Sequence, residues 1–138
     1  MLARQGRIMA WLRAAFGEDV ASNRTERAAR VLEEAAELAQ AEGLSHWDAE
    51  RIVSRVYHQP VGVPQREAAG VMVAMLGWAG AAWVDLDLLT EGEIARVESR
   101  DIEEWRRRHQ VKVAQGIALA GTPPAEPVHA VGRRKRDR

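Results

Sequence analysis

Apolar positions along the chain recur at helical spacing and never alternate convincingly, so the pattern predicts one helix after another and no strand. Leu2, Ile8, Met9, Leu12, Ala15 and Phe16 give a first helix over about residues 2–16, which stops at Gly17. Asn23-Arg24-Thr25-Glu26 reads as a capping box and starts a second helix that ends at Gly43, a residue suited to the left-handed conformation beyond a helix. Ser45-His46-Trp47-Asp48 reads as another start, and that helix runs to about Tyr57 because Pro60 forbids continuation. From Gln65 to about Trp83 the chain is apolar on nearly every side, with Val71, Met72, Val73, Met75, Leu76 and Trp78, which predicts a buried central helix. Asp85 or Asp87 caps a further helix holding Leu88, Leu89, Ile94 and Val97, and Ser99 starts a last one over about residues 100–115.

The expected fold class is therefore all-α, a bundle of five or six helices around the central one. A chain of 138 residues is long enough to bury roughly two-thirds of its unfolded surface in one core. The sequence Thr122-Pro123-Pro124-Ala125-Glu126-Pro127 cannot continue a helix, so residues 1–120 read as a single domain and 121–138 as a disordered tail. Formal neutrality hides an asymmetry, because residues 1–120 carry 15 Lys and Arg against 18 Asp and Glu while 121–138 carry 5 against 2. The basic run Arg133-Arg134-Lys135-Arg136 is too short for more than weak, salt-sensitive phosphate contacts, so nucleic acid is not expected as a partner.

Cysteine is absent, which removes disulfide frameworks, thiolate zinc sites and cysteine nucleophiles together and suits a reducing interior. His46, His58, His109 and His129 show no metal-ligand spacing. Arg7 and Arg13 interrupt the first apolar stretch, and Glu67 with Gly70, Gly77 and Gly80 interrupts the longest one, so neither a signal peptide nor a membrane span is expected and the location reads as cytoplasmic. Gly77-Trp78-Ala79-Gly80 lacks the Lys-Ser or Lys-Thr of a phosphate loop.

Candidate chemistry gathers on the second helix, where Glu33, Glu34 and Glu37 fall within an arc of about 100°. Three such carboxylates repel one another unless something positive holds them, and hard divalent cations take oxygen ligands of this kind. Glu67 shares its side of the apolar helix with Gly70, Val71, Ala74, Gly77, Trp78 and Ala81, a mostly small stripe that lets another helix come close, so two helices together can offer four carboxylates. The alternative is a solvated face: Val31, Ala35 and Leu38 lie opposite Glu37, and Arg30 stands three residues before Glu33 and four before Glu34, in reach of ordinary surface pairs. Arg27, Arg30 and Lys112 are candidate contacts for phosphate oxygens.

The run Arg30-Val31-Leu32-Glu33-Glu34-Ala35-Ala36-Glu37-Leu38, then Tyr57 to Pro60, then Glu67-Ala68-Ala69-Gly70-Val71-Met72-Val73, resembles the MazG-like family of all-α nucleoside triphosphate pyrophosphohydrolases. The resemblance covers about residues 20–115. That family carries an E-E-x-x-E motif on one helix, complete here, and an E-x-x-D motif on the next long one, where Glu67 matches but Gly70 replaces the aspartate. It implies Mg²⁺, or Mn²⁺ in its place, as cofactor and hydrolysis of a (d)NTP to the monophosphate and pyrophosphate. It further implies Glu34, Glu37 and Glu67 as metal ligands, with Glu33 as a further ligand or as the catalytic base that orients water. The apolar helix asks for more cover than one short chain supplies, so a homo-oligomer, dimer or tetramer, is expected. Gly70 motivates the other reading, a catalytically weak or inactive MazG-like module serving oligomerisation or regulation.

Overall fold

The computed structural model describes residues 2–121, and the expected basic tail falls almost entirely outside them. The all-α class holds, with seven helices among the described residues rather than five or six: α1 (Leu2–Phe16), α2 (Glu18–Ser22), α3 (Arg24–Ala41), α4 (His46–Tyr57), α5 (Pro64–Ala82), α6 (Leu86–Ser99) and α7 (Ile102–Ala114). Gly17 stops α1 as its sequence suggests, because it adopts φ 86° and ψ 166°, a region that side chains with a Cβ avoid. The sharp turn it allows leads directly into α2, a helix of five residues and too short to show a hydrophobic period in sequence. Asn23, Ser45 and Asp85 cap α3, α4 and α6 through their side chains, whereas α7 is capped by Asp101 and not by Ser99.

The core lies where the two ends of the described chain meet. Leu12, Ala15 and Phe16 of α1 pack with Val20 and Ala21 of α2, and Ile8, Met9 and Trp11 join them together with Ile102 and Trp105 of α7. Trp11 stands edge-on to both Phe16, at 5.5 Å between ring centroids, and Trp105, at 5.4 Å, an arrangement that aligns the positive edge of one ring with the negative face of the next. The closely packed helix pairs are α1 with α2 and α7, and α3 with α2 and α4.

The expectation of a buried central helix over residues 65–83 is overturned. α5 forms almost where expected, with Pro64 in its first turn, but Ala79 is its one buried residue and Val73 and Leu76 are 69% and 60% exposed. All-round apolarity shows that a helix needs cover, not which surface supplies it. Here α1, α2 and α7 have used their apolar faces on one another, and α5 belongs to none of the close pairs. Among the described residues no single helix is long and apolar enough to cross a membrane; α5 and α6 pass that test only as a pair, bent by 106°.

α6 buries Ile94 and Val97 and is tied to α1 by charge. Arg4 reaches Asp87 at 2.7 Å and Glu91 at 3.2 Å, while Arg7 reaches Glu98 at 2.6 Å and also pairs with Glu91. Hydrogen bonding to Arg4 lowers the Asp87 carboxyl below its ordinary pKa, and hydrogen bonding to Arg7 does the same for Glu91 and Glu98. Carboxyls with depressed folded pKa values stabilise the fold above their unfolded values, near pH 4, and lose that contribution as the pH falls through the folded ones. All are solvent-exposed, so salt screens them. At low salt the melting midpoint of the native chain should fall more steeply between about pH 5 and pH 3 than that of Arg7→Gln, and the difference should close in 1 M salt. Parallel curves at low salt would show that this ladder carries no stability.

Candidate metal centre

The acidic turn is held in place from below by a buried glutamate. Asn23 Oδ1 accepts the backbone N–H of Glu26 at 2.9 Å, but the Glu26 side chain does not return the bond as in a capping box. It turns inward instead. Glu26 is 6% exposed, its Oε2 accepts the Leu119 backbone N–H at 2.8 Å, and its Oε1 lies 3.3 Å from Arg30 Nε and 3.4 Å from Arg27 Nη2. Arg30 donates to the Ile117 carbonyl, and His109 Nε2 donates to the Leu119 carbonyl at 2.8 Å. The segment after α7 is thus strapped across the first turns of α3. Burial lowers the Arg27 guanidinium pKa and the neighbouring Arg30 adds to the effect, against the opposing pull of Glu26.

One turn further on, the triplet divides. Glu33 is half-buried, and its Oε2 is shared between Arg30 and Lys112, whose Nζ stands 2.8 Å away. The structure therefore brings four of the candidate residues, Arg27, Arg30, Glu33 and Lys112, into one network with Glu26. Glu34 and Glu37 are exposed and make no ion pair or side-chain hydrogen bond among the described residues. Glu37 lines a shallow cleft of about 350 Å³ between α3 and α4, together with Glu33, Ala36, Gln40, Leu44 and His46. Arg30 does reach Glu33, as a surface-pair reading anticipates, but Glu34 is left without it.

Glu67 stands apart. It is exposed, and its carboxylate curls over Gly62, leaving no room for a Cβ there. Among the described residues no three acidic, histidine or cysteine side chains stand together as a metal cage, so the four family carboxylates do not converge within one chain. Asp85 is occupied in capping α6, its Oδ1 accepting from Leu88 N at 3.0 Å, and Asp87 in the ladder to Arg4. Trp78 Nε1 of α5 donates to Oε1 of Glu42, the residue just past the end of α3, at 3.1 Å.

Mg²⁺ is commonly held by one or two carboxylates, several waters and the phosphates of a substrate, and not by an all-protein cage. The open pair Glu34 and Glu37, one helical turn apart and without an ion pair among the described residues, fits that mode. Sequence reading missed Glu26 and His109 as parts of the site's support. Glu26 carried a signal, lying one and four residues before two arginines, but its capping-box position drew the simpler interpretation. Comparison with protein-family models, with curated proteins and with solved structures finds no match.

Proposed function

We propose that this protein is a Mg²⁺-dependent nucleoside triphosphate pyrophosphohydrolase of the MazG-like type, cytoplasmic and homo-oligomeric, that cleaves (d)NTP to (d)NMP and pyrophosphate. The observation that supports this reading is uneven pairing of charge: Glu34 and Glu37 face solvent on one turn with no ion pair among the described residues, while Arg30 and Lys112 stand beside them at Glu33. Glu34 and Glu37 would hold the ion. When bound, it neutralises triphosphate charge and makes a coordinated water more acidic. Lys112 and Arg30 offer positive charge to the outer phosphate oxygens, and Glu33 holds both cations in position. Arg27 sits deeper, and its role is to support Glu26.

A second reading, a catalytically weak or inactive helical module, is favoured by the engagement of Glu33 and the separation of Glu67 from the triplet. A panel of NTPs and dNTPs separates the two. The hydrolase releases pyrophosphate from at least one of them with Mg²⁺ or Mn²⁺, and EDTA abolishes the release. Silence across the whole panel would favour the module.

A further inference from the structure

We propose that α6 and α7 build a binding site around Trp105 for a small, multiply charged phosphate anion of the pyrophosphate class, with Arg96, Arg100 and Arg108 as its contacts. Spacing brings these residues together, since Arg96 and Arg100 are four apart at the end of α6 and Trp105 and Arg108 are three apart on α7. The guanidinium carbons of Arg96, Arg100 and Arg108 lie 5.6, 5.1 and 5.7 Å from the centre of the Trp105 ring. The ring itself is fixed, because its Nε1 donates to the Val97 carbonyl at 3.2 Å and it packs edge-on to Trp11. This site stands on arginine charge alone and does not require the hydrolase reading.

Three cations around one indole repel one another, and the attraction of each to the ring offsets that only in part. Carboxylates answer two of them: Glu93 takes Arg96, 2.7 Å from its Nε, and Glu104 takes Arg100 at 3.1 Å. Arg108 is exposed and has no ion pair among the described residues. Its neighbours have none to spare. Glu91 and Glu98 serve Arg7, Glu103 serves Arg106, and Asp101 caps α7. The cluster therefore carries one guanidinium more than the described carboxylates pair with, and the oxygens of a ligand complete it.

Guanidinium forks match phosphate oxygens two at a time and keep their charge throughout the physiological pH range. A compact anion fits better than a nucleic-acid strand, because the three cations converge on one ring and form no stripe for a backbone to follow. Residues 1–120 also carry 15 Lys and Arg against 18 Asp and Glu, an excess that repels a long polyanion. Arg96 in turn feels the acidic turn of α3: its hydrogen bond to Glu93 is the main cause of its raised pKa, and the charges of Glu34 and Glu104 add to it. The site thus lies within range of the charge on Glu34 and approaches it from α6, whereas Arg30 and Lys112 reach Glu33 from α3 and α7.

Calorimetric titration of the full chain with inorganic pyrophosphate, in EDTA and at low salt, tests the site. Pyrophosphate should bind, and Arg108→Gln should weaken it by on the order of 10–100-fold, the loss expected for one charged hydrogen-bonding partner. Arg55→Gln, which removes the same charge from an exposed arginine of α4 that has no ion pair among the described residues, should bind like the native chain. Arg108 is as exposed as Arg55, so helical circular dichroism should be the same for all three proteins. The proposal is overturned by absence of pyrophosphate binding, by equal binding in the native and Arg108→Gln chains, or by an equal loss in Arg55→Gln, which would show general charge attraction only. A single-stranded oligonucleotide that binds through Arg108 where pyrophosphate does not would overturn it in favour of a nucleic-acid surface. Hydrolysis is not read in this experiment and metal is withheld, so its failure and that of the hydrolase reading are separate results.

Discussion

Replacing Glu37 with alanine should lower Mg²⁺-dependent pyrophosphate release by on the order of 10²–10³-fold, equivalent to about 3–4 kcal/mol of lost transition-state stabilisation. The expectation follows from charge. Of the three glutamates on the turn, Glu33 is already shared between Arg30 and Lys112, so Glu34 and Glu37 are the pair left to bind an ion, and alanine halves it. Glu37 is exposed and makes no hydrogen bond or ion pair among the described residues, so its loss should leave the melting midpoint unchanged. Activity and stability are thereby separated. Mn²⁺ binding followed by calorimetry should weaken in parallel with turnover. A Glu37→Ala chain that hydrolyses nucleotide at the native rate would remove this residue from the site and leave the E-E-x-x-E motif without its assigned role.

What the sequence disclosed of this fold and site was local. Asn23, Ser45 and Asp85 were legible as caps because each stands at a fixed short offset from the N–H groups it satisfies. The Arg30–Glu33 pair was legible for the same reason, at a spacing of three residues. Lys112 reaches Glu33 across 79 residues and Leu119 reaches Glu26 across 93, and no local pattern encodes contacts of that separation. α2 was illegible because five residues contain too little of a helical period. The misplacement of α5 has another cause: hydrophobicity reports that a surface must be covered, and the chain that covers it need not be the same molecule.

The largest expected loss of stability is at Glu26. Its alanine variant removes one carboxylate that serves three partners, leaving the Leu119 N–H without its acceptor, Arg27 without its neutralising charge and Arg30 with Glu33 alone. Breaking a buried ion pair from one side typically costs 3–5 kcal/mol. The arginine side chains retain 26% and 20% of their exposure, and Arg30 keeps Glu33, so solvent and the second carboxylate recover part of this and the expected cost is about 2–3 kcal/mol. At roughly 2–8 °C per kcal/mol for a domain of this size, the melting midpoint should fall by about 5–20 °C. Glu26→Gln should fall in between, because the amide oxygen still accepts from Leu119 while the charge is gone. Urea unfolding measures both variants, with Glu34→Ala, an exposed carboxylate without partners among the described residues, expected to match the native chain. If Glu26→Ala also unfolds with the native protein, the strap from α7 does not fix α3. The Lys112 contact to Glu33 would then have to be held by α7 alone, and the placing of positive charge beside Glu34 and Glu37 would lose its structural basis.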